Sequence, residues 1–169
     1  MAWLDGVLLL LHLLAAMAWL GGSLFLVTRF GPAMRAAGPA GIQVGLALER
    51  KGGLTPFFAP ASVVAVVTGA LLYVRVDRHV DAFATTGSTL LTLGAACGLA
   101  GFLVGLLVSS PAEAKLKQIA RRVEPGEAPS PEDAEAFQAA MTRASLASHM
   151  ILGLVLLATL GMAAARIGL

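Results

Sequence analysis

The sequence predicts an all-α polytopic membrane protein, a bundle of four transmembrane helices. Three observations carry that prediction. The 169 residues are 57% hydrophobic but only 13% charged, where a soluble domain carries about 25% charged residues. Mean hydropathy is +0.82. The apolar residues also fall in long unbroken blocks, the pattern expected where roughly 20 apolar residues must cross a hydrocarbon core.

Four blocks meet that length, at about residues 5–28, 56–74, 87–109 and 144–165, and none has Asp, Glu, Lys or Arg in its interior. Helices are the economical choice for each, because a helix satisfies every backbone N–H and C=O within the segment. The first block follows Met1-Ala2-Trp3-Leu4-Asp5, which has no positive charge. The block is also too long for a signal-peptide core, so it is expected to remain as a span. One domain, 1–169, is expected from the length.

Lysine and arginine bias sets the orientation. Arg29, Arg35, Arg50 and Lys51 lie in the segment 29–55, and Lys115, Lys117, Arg121, Arg122 and Arg143 in the segment 110–143. Only Arg75, Arg78 and Arg166 fall on the other side. The two richer segments are therefore expected in the cytoplasm and both termini outside, in the cytoplasmic (inner) membrane. The basic residues flank spans, so the net charge of +2 does not argue for nucleic acid. The lone Cys97 excludes an intramolecular disulfide and says nothing about compartment.

The two long segments between spans contain helical signals. Ser110-Pro111-Ala112-Glu113 and Ser130-Pro131-Glu132-Asp133 each read as an N-cap, a proline at the first helical position and an acid in the first turn. The third span is expected to kink or restart at Pro111 and the fourth helix to begin near Ser130, with a turn at Glu124-Pro125-Gly126-Glu127. Residues Ile42 to Leu48 read as a segment lying on the inner membrane surface.

Helices in lipid associate through close approach of small residues. Gly94, Gly98, Gly101 and Gly105 make one such face, and His12, Ala15, Ala16, Trp19, Gly22 and Ser23 another. These two faces are the expected bundle interior, and they could equally serve a membrane-protein partner or a homo-oligomer.

The polar inventory at membrane depth is short. His12 and His149 are ionisable residues within or beside spans, and such a residue is a functional hypothesis by default. His12 lies on the small-residue face about 10 Å deep at 1.5 Å per residue. It can be a ligand, or a neutral histidine bonded to a neighbouring carbonyl or hydroxyl. His149 enters from the opposite side, so one metal or haem iron cannot easily take both, and a snorkelling or structural role is the expectation. Cys97 and Met162 fall near the level of His12. A thiolate, a thioether and an imidazole suit Cu(I), although a methionine or a lone cysteine in a span is commonly packing. Asp77, His79 and Asp81 offer three ligand types for a surface metal ion but read first as a solvated turn. No phosphate-binding glycine loop, H-E-x-x-H or serine elbow is present, and no broken span or charged pathway suggests transport.

The stretch Leu11-His12-Leu13-Leu14-Ala15-Ala16-Met17-Ala18-Trp19-Leu20-Gly21-Gly22 resembles the first helix of CopD-like membrane proteins, in which a histidine is followed seven residues later by Trp-x-Gly-Gly. Val67-Thr68-Gly69-Ala70-Leu71-Leu72-Tyr73 resembles their T-G-x-x-x-Y ending, and Met162-Ala163-Ala164-Ala165-Arg166 the closing M-A-x-x-R of related four-helix proteins. The resemblance implies haem b or copper at His12, with Trp19 beside the cofactor. CopD proteins are longer, so this chain corresponds to a minimal core. Membrane-embedded protoporphyrinogen oxidases of the HemJ type are more distantly similar, through His12, Trp19, Gly22 and Arg29. They also use an intramembrane lysine, whereas Lys51, Lys115 and Lys117 all fall between spans. The competing expectation is a non-catalytic accessory or scaffold subunit of a larger membrane complex.

Overall fold

The computed structural model describes residues 2–76, 83–124 and 127–167. Over them the chain forms helices and no strands. In order they are α1 (Ala2–Phe25), α2 (Gly31–Ala36), α3 (Pro39–Arg50), α4 (Thr55–Val76), α5 (Thr86–Val104), α6 (Ser110–Arg122) and α7 (Pro131–Arg166). Four helical stretches are long and apolar enough to cross a membrane: Trp3–Ala36, Thr55–Arg75, Thr86–Arg122 and Pro131–Arg166. The fold is the expected all-α four-helix bundle.

Two of the helical stretches run on past a proline that does not end them. Leu26–Phe30 and Gly105–Ser109 are π-helical turns joining α1 to α2 and α5 to α6. Each is followed almost at once by a proline, Pro32 or Pro111. Proline donates no N–H, and its ring clashes with the carbonyl four residues back. One extra residue in the turn moves that carbonyl aside, so the Gly31 and Ser110 N–H groups bond five residues back, to Leu26 and Gly105. Ser110 is accordingly not an N-cap, since its hydroxyl donates to the Gly105 carbonyl at 3.3 Å. Ser130 is one, accepting from the Asp133 N–H at 3.1 Å. Glu127 N–H bonds Glu124 O at 3.2 Å; Pro125, Gly126 and Asp77–Asp81 lie outside the described residues.

Inside the bundle α1 pairs with α4 and α5 with α7. The glycine face of α5 meets α7: a Cβ at Gly94 would stand 3.0 Å from Ala158 O, and one at Gly161 2.9 Å from Leu90 O. The two pairs join around Trp19, which is 5% exposed and packs with Ala15, Ala65, Ile151 and Val155.

The segments between spans form a second, separate core at one end of the bundle. There α3, α6 and the first turns of α7 bury Leu46, Leu116, Ile119, Ala120 and Phe137 together. Residues 42–48 thus belong to a helix packed on protein; Leu46 has no exposed surface. Arg50 ties this cap, donating from Nε to Ala120 O at 3.1 Å and from Nη2 to Val123 O at 2.6 Å. Those carbonyls end α6 and have no partners within it.

Candidate functional site

His12 projects from α1 against α4. Its Nδ1 lies 2.9 Å from the carbonyl oxygen of Ala65, and the Thr68 hydroxyl stands 3.4 Å away. A carbonyl can only accept, so Nδ1 carries the proton. The Thr68 hydroxyl donates back to Val64 O at 2.5 Å, leaving its lone pairs toward the ring. Gly69 makes the room: a Cβ there would lie 2.9 Å from His12 Cε1 and 3.2 Å from Nδ1.

The consequence for chemistry is at the other ring nitrogen. With Nδ1 protonated, a neutral imidazole presents a lone pair at Nε2. Ligating histidines take this form, the second nitrogen donating to a backbone carbonyl that fixes tautomer and ring plane. His12 is half-buried. Toward the N-terminal end of α1, Arg75 of α4 and Asp5 form an ion pair, and Tyr73 is bonded to Thr92 of α5 at 2.8 Å.

The other predicted residues are distributed through the bundle. Trp19 lies two turns along the same face of α1, about 10 Å away at 1.5 Å per residue, with its ring in the apolar centre. Met162 lies between α7 and α5, its Cγ 3.3 Å from where a Cβ on Gly94 would be. Cys97 is a half-buried free thiol on α5. His149 is exposed, and its Nδ1 donates to Ser145 O of its own helix at 2.7 Å. Among the described residues no three His, Cys, Asp or Glu side chains converge in a metal-binding group.

Two groups of residues escaped the sequence reading as a site. Ala65 O, Thr68 and Gly69 surround His12; the Thr68-Gly69 pair was visible as a motif, but its partner helix was not. The second group lies in the cap, where the Glu49, Glu113, Thr55 and Lys117 side chains come together and Gly53 stands against Glu49. Thr55 donates to Glu113, and Lys117 Nζ donates to Thr55 Oγ1 at 3.1 Å. Glu49 is 9% exposed and its Oε2 has no partner. Burial, with Glu113 adding to it, raises the Glu49 carboxyl above the usual range, and Lys117 only partly opposes this.

The fold defines the chain as a helical bundle of the multi-pass membrane class. No family model, curated protein or solved structure matches it.

Proposed function

We propose that the protein is a CopD-like integral membrane protein that binds haem b or copper through Nε2 of His12, in membrane redox chemistry or copper handling. The observation that carries this reading is the 2.9 Å bond from His12 Nδ1 to Ala65 O. It supports a ring held in one tautomer and one plane with its second nitrogen free to ligate. Iron or copper held there would supply one-electron chemistry. The protein's part is to fix the ring through Ala65 and Gly69 and to keep the surroundings apolar. Cys97 and Met162 remain the proposed soft ligands for copper, and Trp19 the proposed aromatic neighbour of a haem. The lysine and arginine bias supports an inner-membrane orientation with the cap in the cytoplasm and both termini outside.

The test is an absorption spectrum with metal analysis on detergent-purified protein and on His12→Ala. A Soret band or stoichiometric copper that disappears in the variant supports the assignment. A colourless, metal-free wild type after haem and Cu(I) have been offered rejects it.

The second reading is an accessory subunit without a cofactor. The tight seat of the ring on Gly69 favours it, because one bond to Ala65 O also satisfies a purely structural histidine. That reading predicts capture of a membrane-protein partner by the colourless protein.

A further inference from the structure

Glu49 and Glu113 border a cavity of about 60 Å³ in the cap, whose remaining wall includes Phe30, Met34, Phe137 and Met141. The lining of this cavity is mixed: two residues present carboxylates, and the others include rings, thioethers and leucine side chains. The loop after α3 passes close to the Glu49 carboxylate. Gly52 and Gly53 have φ of 107° and 69°, and a Cβ at Gly53 would stand 2.5 Å from Glu49 Oε2. Only glycine lets the backbone cross so near the carboxylate.

Buried carboxylate oxygens without partners are uncommon and costly. Glu49 Oε2 has none. The charged groups bearing on Glu49 are Glu113 and Lys117, two negative charges against one positive, so the site lacks one positive charge when both acids are ionised. A bare inorganic cation would need several oxygen ligands, whereas most of this wall is carbon and sulfur. The missing group must donate hydrogen bonds, carry one charge and be apolar elsewhere. It must also be small, since about 10–15 Å³ of such space holds a single water.

We propose that the cavity between Glu49 and Glu113 binds a small protonated alkylamine, its ammonium on the Glu49 carboxylate and its alkyl part against Phe137 and the two methionines. The site is distinct from His12 and does not depend on haem or copper there.

The experiment is thermal unfolding of the purified full chain at pH 8 and constant ionic strength, replacing sodium chloride by ethylammonium chloride. The expected result is a saturable rise of about 3–6 °C at ten times the Kd. Tetramethylammonium, which has no N–H donors, should give none. Glu49→Gln, which removes the ionic partner, should abolish the rise, and so should Glu113→Gln, which balances the charge; a folded form of either variant is sufficient. Four outcomes overturn the proposal. They are no rise with ethylammonium, an equal rise with tetramethylammonium, a rise retained in a folded variant, or stoichiometric copper lost in Glu49→Gln. If acidification alone stabilises the wild type and ethylammonium does not, the site takes a proton and no amine.

Discussion

His12 seats against α4 because residue 69 has no side chain: its Cε1 occupies space 2.9 Å from where a Cβ of Gly69 would be. The close approach brings Nδ1 onto Ala65 O. A helix carbonyl already bonded within its own helix has a second lone pair, and the imidazole uses it. The position of the ring therefore depends on a residue 57 positions later in the sequence.

Gly69→Ala is expected to push the ring away from α4. Overpacking of a fitted contact costs about 1–3 kcal/mol, so the thermal midpoint in detergent should fall by several degrees, and any cofactor signal at His12 should weaken with it. Gly98→Ala is the internal comparison. A Cβ there finds its nearest neighbour, Ala158 Cβ, at 3.8 Å, an ordinary contact, and reduced freedom of the unfolded chain makes the change neutral or mildly stabilising. Equal destabilisation by both would show that Gly69 has no particular role in seating His12.

The interface between α5 and α7 supplies a second contrast. Cβ atoms at Gly94 and Gly161 would meet backbone carbonyls at 3.0 and 2.9 Å, and backbone moves less readily than a side-chain end. Gly161→Ala should separate the helices and cost about 1–3 kcal/mol. Gly153→Ala, where a Cβ meets nothing within 4 Å, should be neutral or stabilising by up to about 1 kcal/mol, the ordinary preference of a helix for alanine. Unfolding midpoints of the two variants, measured in one detergent, decide the point.

These contrasts also show what the sequence made legible. The four spans were readable because long apolar blocks have few other uses, and the glycine face of α5 because its spacing repeats with the helix. Trp19 and His12 were correctly placed on an inward face of α1. Pairing of α1 with α4 could not be read, since every span offers small residues and hydrophobic pattern does not single out a partner in lipid. The cap was missed for a different reason. Residues 42–48 resemble a surface segment until α6 and α7 are placed over Leu46, and only then does Glu49 become buried. The two π turns left a trace in Pro32 and Pro111; a kink or restart was expected at Pro111, but Ser110 was read as an N-cap, and proline spacing alone does not reveal a π turn.

Arg50 joins α3 to the end of α6 through the carbonyls of Ala120 and Val123. Bonds from a charged donor contribute about 1.5–3 kcal/mol, and Arg50→Ala would leave both carbonyls without their donor. A drop of that size in stability is expected. Arg50→Lys should restore less than half, because a single ammonium cannot reproduce the two-pronged guanidinium geometry. Hydrogen exchange of α6 should quicken in Arg50→Ala while that of α5 stays near wild type. Uniform loss of protection across both helices would argue against a local tie.

Glu49 gives the cap a pH dependence whose sign follows from its raised carboxyl. An acid that holds its proton more tightly when folded stabilises the protein at low pH. That contribution is lost as pH rises from the unfolded value, about 4.3, through the higher folded one. Wild-type stability in amine-free buffer should therefore decline across that interval. Glu49→Gln cannot ionise, so its curve should lack this decline. The variant should exceed wild type at pH 8, where only the wild type carries a buried charge without a partner, and approach it near pH 4. Parallel curves for the two proteins would mean that the Glu49 carboxylate meets water freely and that its burial imposes no cost.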